Sequence, residues 1–162
     1  MSESPERKVR AILIGRSTAG KTTLCQALYH DEIKYRKTQT VNIINQQMID
    51  TPGEYLERGY MRGALTTTSA DADLIILVQD ATENGSMFPP GYANSYGKPS
   101  IGVVTKIDIA SEKQIENAKK YLMLAGVRKI FKTSSYKNEG CKELFEWIEA
   151  QKERRGKFAG ED

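Results

Sequence analysis

Gly15-Arg-Ser-Thr-Ala-Gly-Lys-Thr22 decides how this chain folds. The octapeptide satisfies G-x-x-x-x-G-K-[ST], a pattern whose meaning depends on what flanks it. Upstream, Val9-Arg-Ala-Ile-Leu-Ile14 is a short apolar run suited to a strand buried on both faces of a parallel sheet. Downstream, Leu24, Ala27 and Leu28 repeat at helical spacing, predicting a helix from Lys21 to about His30 or Asp31. Between the two, Gly15 and Gly20 permit backbone angles that turn N–H groups inward. Together with the helix N-terminus they surround a phosphate chain with donors and positive dipole. The candidate phosphate-binding residues are therefore Gly15, Arg16, Ser17, Thr18, Ala19, Gly20, Lys21, Thr22 and Thr23. Lys21 brings a point charge to the β- and γ-phosphates and is a catalytic candidate as well; the Thr22 hydroxyl is placed to ligate Mg²⁺.

Beyond this unit, Ile33 to Gln39 is polar and basic and reads as a loop. Thr40-Val-Asn-Ile-Ile44 and Gln47-Met-Ile-Asp50 read as two strands of a hairpin with Asn45-Gln46 between them. Leu56, Tyr60, Ala64 and Leu65 then give a helical stripe to about Ala70, and Leu74-Ile-Ile-Leu-Val78 another buried strand. Asp80 to Gly97 is mainly loop, with a short helix from Pro90 onward. Ser100 to Thr105 is a strand, and Ser111 caps a helix carrying Ile115, Ala118, Leu122 and Ala125, closed by Gly126. Lys129-Ile-Phe-Lys132 is a last short strand, and Gly140 precedes a helix with Cys141, Leu144, Phe145 and Ile148 on one face. Strands alternating with helices predict an α/β fold of three layers, a mostly parallel sheet covered on both faces. With 162 residues, the chain can bury one good core and not two. Residues 1–8 form a polar leader, 9–150 the domain, and 151–162 a charged tail expected to fray.

Two further motifs fall at predicted strand ends. Asp50-Thr-Pro-Gly53 has the form D-x-x-G, which downstream of a phosphate loop puts a carboxylate near Mg²⁺ and the Gly53 N–H within reach of the γ-phosphate. Taken alone it is also an ordinary turn sequence. In Thr105-Lys-Ile-Asp108, an ionised Asp108 can accept hydrogen bonds from guanine N1–H and the exocyclic amine, where adenine offers an unprotonated N1. Lys106 would lay its stem along base and ribose.

These segments, with Thr133-Ser-Ser135, resemble the five-loop pattern of translation-factor-related GTPases. More narrowly, Lys37-Thr-Gln, Asp50-Thr-Pro-Gly-Glu-Tyr-Leu56, Leu77-Val-Gln-Asp-Ala-Thr82, Phe88-Pro-Pro-Gly91 and Thr105-Lys-Ile-Asp108 resemble the EutP/PduV family of ethanolamine and propanediol utilisation. The resemblance implies a small-GTPase-like P-loop fold, nucleotide binding, a bacterial cytoplasmic location and association with the catabolic microcompartment, its shell or its associated proteins. It carries phosphate binding to Gly15 through Thr22, Mg²⁺ support to Asp50, base recognition to Lys106 and Asp108, and backing of the base through the main-chain N–H groups of Ser134 and Ser135. Thr38 is the expected switch contact to Mg²⁺ and the γ-phosphate, with Thr40 the alternative. Glu54 stands where regulatory GTPases carry a Gln that orients water; as a carboxylate it could take a proton from water, though a triphosphate would repel it. Thr105 replaces the Asn usual in such GTPases, which leaves open both the tie between this loop and the P-loop and the choice of guanine.

The remaining composition narrows the function class. The 24 basic and 21 acidic side chains are dispersed, giving a formal charge of +3 and no single-sign field that would call for nucleic acid. Cys25 and Cys141 form no C-x-x-C pair, and a lone His30 offers a metal no ligand cluster. Neither a signal peptide nor a membrane-length apolar run is present in the sequence. The expectation is a purine nucleoside triphosphate site with slow Mg²⁺-dependent hydrolysis, GTP from Thr105 to Asp108 and ATP the alternative. Two other readings compete: phosphoryl transfer between ATP and a small carboxylate such as acetate, and a non-catalytic module placed on the microcompartment. Arg16, Arg58 and Arg62 are the cations nearest the expected site.

Overall fold

A computed structural model describes residues 10–29, 42–44 and 48–159; for 29, 42–44 and 152–159 only the backbone path is described. Thr38, Thr40, His30 and the leader lie outside the described residues.

The first strand, β1 (Ala11–Ile14), is wholly buried and leads through the Gly15–Gly20 turn into α1 (Lys21–Tyr29). The expected hairpin follows as β2 (Asn42–Ile44) and β3 (Met48–Asp50), paired antiparallel with Asn42 opposite Asp50. β4 (Leu74–Asp80) extends two residues beyond the apolar run that marks it, because Gln79 and Asp80 continue the pairing with β5 (Ser100–Thr105). α4 (Glu112–Leu124) begins at a reciprocal capping box: the Ser111 hydroxyl accepts from the Gln114 N–H at 3.1 Å, and Ser111 N–H donates to the Gln114 side chain at 2.8 Å. β6 (Ile130–Lys132) completes a six-stranded sheet of order β2-β3-β1-β4-β5-β6, in which every pairing but β2 with β3 is parallel.

Alternation along the strands divides the core between the two faces. Leu13, Ile76, Val78 and Val103 point to one side, where they meet Leu24, Cys25 and Leu28 of α1 and Cys141, Leu144 and Ile148 of α5 (Cys141–Ala159). Ile12, Ile14, Ile75, Leu77 and Val104 point to the other and pack under Leu56, Leu65, Ala118 and Leu122. Each large aliphatic side chain removed from water in these layers contributes about 1.5–3 kcal/mol before entropy is counted. Trp147 is half-buried, its ring 5.7 Å from that of Phe131.

One expectation is corrected. The helical stripe from Leu56 to Ala70 is not one helix. It is α2 (Glu54–Glu57), a 3₁₀ turn over Gly59–Met61, and α3 (Arg62–Ser69), broken where Arg58 adopts an extended backbone (φ −102°, ψ 117°). Tyr60, assigned to the buried stripe, is 77% exposed, while Leu56 and Leu65 are buried as the pattern required. The backbone of the last helix runs on through the charged segment to Ala159.

Candidate functional site

The parallel strands deliver their C-terminal ends to one edge of the sheet, the place where open α/β sheets bind ligands. Register fixes the neighbours: Leu13 stands opposite Asp50, and Asp80 opposite Thr105. Gly15–Thr22, Asp50–Gly53 and Thr105–Asp108 therefore lie together at the top of β1, β3 and β5.

Within the glycine loop, Lys21 is 5% exposed, and its Nζ donates to the Gly15 and Arg16 carbonyls, both at 2.8 Å. Burial lowers the pKa of this ammonium, against the pull of Asp50 and Glu57, the nearby carboxylates that favour the charge. Gly20 adopts φ 90°, the left-handed region that glycine enters without a steric penalty, and so lets the loop turn into α1. At the end of β3 the Asp50 carboxylate, 1% exposed, accepts from the Thr22 hydroxyl at 2.6 Å. The next residue anchors the turn, since Thr51 Oγ1 donates to the Leu13 carbonyl at 2.7 Å. A hydroxyl and a carboxylate side by side are hard oxygen donors of the kind Mg²⁺ prefers, so the chemistry of the pair fits that ion. Among the described residues no three His, Cys, Asp or Glu converge on a metal position.

Gly53 lies directly against the loop. A Cβ on it would fall 1.9 Å from the Ser17 nitrogen and 2.3 Å from Ser17 Cα, so no other residue can hold this approach. Glu54 opens α2 half-buried, and Glu57 closes it by accepting from Ser17 N–H at 2.9 Å and from Ser17 Oγ at 2.6 Å. Arg16 pairs with Glu83, its Nε 3.9 Å from Glu57. Of the other cationic candidates, Arg58 binds the Tyr60 hydroxyl and Arg62 the Leu56 carbonyl, and neither is bonded to the glycine loop.

On the opposite side of the loop, Thr105 is buried and its hydroxyl donates to the Ala19 carbonyl at 2.7 Å. Of the two questions opened by a threonine in place of asparagine, geometry answers that of the tie: the shorter side chain still reaches the P-loop. Lys106, in a left-handed conformation at φ 62°, sends Nζ to the Thr18 carbonyl at 2.7 Å and to Asp80 at 2.8 Å. Burial pushes the Asp80 carboxyl up, but hydrogen bonds from Lys106 and Thr82 and the Lys106 charge outweigh it and hold the group below its ordinary value. Asp108 is half-buried at the end of this loop. The loop after β6 adjoins it, with Ile107 N–H donating to the Thr133 carbonyl at 3.3 Å. Ser134 commits its main-chain N–H to the Glu139 carbonyl at 2.9 Å, which leaves Ser135 as the candidate of that pair for a base contact.

The profile of the family described as ethanolamine utilisation and propanediol utilisation, PduV–EutP, matches residues 8–150. The chain belongs to that family. It is 40% identical over 142 residues to the propanediol utilization protein PduV of Citrobacter freundii, covering 88% of this chain and 94% of that one. It is 32% identical over 141 residues to a protein of Escherichia coli K12 named probable acetate kinase EutP, covering 86% and 88%. Among solved structures it resembles the FeoB G-domain of Methanococcus jannaschii, with a TM-score of 0.63, 24% identity, and coverage of 88% of this chain and 96% of that one. The fold is therefore that of a P-loop G-domain. No described helix is long and apolar enough to cross a membrane.

Sequence reading missed Glu57, Glu83 and Asp80. Asp80 carried a signal, a carboxylate closing a strand as Asp50 does; Glu57 and Glu83 carried none, because their place depends on the path of the intervening chain.

Proposed function

We propose that this protein binds GTP with Mg²⁺ and hydrolyses it slowly, in ethanolamine or propanediol utilisation. The observation that carries this reading is the double attachment of the Thr105–Asp108 loop to the P-loop, Thr105 to Ala19 and Lys106 to Thr18, each at 2.7 Å. That attachment couples the position of the phosphate cradle to the position of Asp108, whose carboxylate complements the donor edge of guanine. A mismatched base leaves the carboxylate partly unpaired at a cost of about 1–3 kcal/mol, at least a several-fold preference. Lys21 neutralises the phosphate chain, and Thr22 and Asp50 are the oxygen donors for Mg²⁺, which when bound draws charge from the β- and γ-phosphates. In this reading the Gly53 N–H and Glu54 serve the γ-phosphate and the attacking water, consistent with the close approach of Gly53 to Ser17. Without an external cation, hydrolysis in such sites is on the order of 10⁻⁴ to 10⁻² s⁻¹. Calorimetric titration with GTP, ATP and their diphosphates in Mg²⁺ tests the reading: GTP tighter than ATP supports it, and equal or reversed affinities overturn it.

A second reading follows from the 32% identical relative named probable acetate kinase. The same cradle can serve transfer of the γ-phosphoryl group of ATP to a small carboxylate instead of to water. ADP release that depends on added acetate favours this second activity. Association with a microcompartment, the remaining expectation of the family, is tested by co-localisation of a fluorescent fusion; if Lys21→Ala leaves that association intact, nucleotide is not what directs it.

A further inference from the structure

The P-loop is gripped at both ends by different elements. Thr18 and Ala19 hold the base-side loop through Lys106 and Thr105, whereas Arg16 and Ser17 face the segment from Gly53 to Glu57. The Arg16–Ser17 end is also where Lys21 Nζ rests, on the Gly15 and Arg16 carbonyls, and is thus the end that receives the terminal phosphate. There the Glu57 carboxylate takes hydrogen bonds from the Ser17 main-chain N–H and hydroxyl, donors of the kind a phosphate oxygen would claim.

Resting on the nucleotide-binding reading above, we propose that Glu57 is a built-in anion that occupies the γ-phosphate end of the P-loop and makes the site discriminate between nucleoside triphosphate and diphosphate. A diphosphate fills the cradle short of Ser17 and coexists with Glu57. A triphosphate brings like charge against the carboxylate and must displace it, which lifts α2 from the loop. Three further observations fit this role. The two Ser17 hydrogen bonds hold the Glu57 carboxyl below the ordinary range, so it is an anion at neutral pH. Gly53 is pressed against Ser17 with no room for a side chain, so the hinge of the segment and its anionic tip are both seated on one residue of the loop. Arg16 is held on its far side by Glu83, which is itself fixed by Gln79 Nε2 at 3.2 Å, and so remains as a cation for the displaced Glu57 or the arriving phosphate.

The experiment is calorimetric titration of the full chain, parent and Glu57→Gln and Glu57→Ala variants, with a non-hydrolysable GTP analogue and with GDP, in Mg²⁺. Glu57→Gln keeps a hydrogen-bonding group of the same size and removes only the charge, so it guards against a folding defect in the alanine variant. Expected is triphosphate affinity raised about tenfold in both variants with GDP affinity within about twofold of the parent. A residue that merely fastens α2 would lower the melting temperature without moving the triphosphate-to-diphosphate ratio, and an unchanged ratio overturns the proposal while nucleotide binding itself stands. If the parent binds neither nucleotide, the functional reading falls and this inference falls with it.

Discussion

The Thr105 hydroxyl and the Ala19 carbonyl meet at 2.7 Å across 86 residues of sequence, fastening the Thr105–Asp108 loop to the glycine loop. Both groups are buried, so the bond cannot be exchanged for water. Thr105→Val removes the donor and leaves the Ala19 carbonyl unpaired, an expected loss of about 1–3 kcal/mol. The denaturant midpoint should fall accordingly, and the GTP-to-ATP affinity ratio should fall with it. Thr105→Ser, which keeps the hydroxyl, should restore most of both.

Lys21 separates binding from folding. Its ammonium is desolvated in the folded chain, which lowers its pKa and offsets what its two carbonyl hydrogen bonds contribute. Lys21→Ala should therefore melt close to the parent temperature. Its affinity for triphosphate should drop by about tenfold to a hundredfold, the equivalent of a lost charge-assisted hydrogen bond. The check is the nucleotide-induced rise in melting temperature, which at equal nucleotide concentration should be smaller in the variant than in the parent.

Asp80 gives the acid limb of stability a specific source. Its carboxyl titrates below its ordinary value when folded, so between that depressed value and about 3.9 the unfolded chain binds more protons. The contribution is complete above the unfolded value and is lost as pH falls through the folded one. Denaturant midpoints measured from about pH 5 downward should decline less steeply in Asp80→Asn than in the parent. The same variant frees Lys106 from its ion pair, so its guanine nucleotide affinity should also weaken at neutral pH.

Gly53→Ala tests the close packing of the D-x-x-G turn on the P-loop. The added Cβ would sit 1.9 Å from the Ser17 nitrogen, where the neighbour is backbone and cannot swing aside. Overpacking of this kind costs about 1–3 kcal/mol, read as a lower denaturant midpoint. Hydrogen exchange at the Ser17 amide should accelerate as the segment separates from the loop.

Most of the architecture was legible because the evidence for it was local. Buried parallel strands are continuous apolar runs, as in Ala11–Ile14 and Leu74–Val78, and Ser111 with Gly126 marks both limits of one helix. The break at Arg58 was not legible, because Leu56 and Leu65 are buried whether one helix or two short ones carry them. In the site, the backbone motifs named Lys21, Thr22 and Asp50, and the structure brings those three together. Thr105 illustrates the limit of pattern: its side chain departs from the usual asparagine, yet its hydroxyl reaches the Ala19 carbonyl. Glu57 shows the complementary limit, since only the fold of α2 over the loop reveals what its carboxylate touches.

Cys25 on α1 and Cys141 on α5 are both reduced and both sealed within the same layer of the core. Burial raises the pKa of each thiol, which disfavours the reactive thiolate while the layer is intact. The rate at which a thiol reagent labels Cys25 thus times the opening of the helix that begins at Lys21. On the nucleotide-binding reading that rate should slow when nucleotide is added, a clock for the glycine loop that needs no engineered reporter.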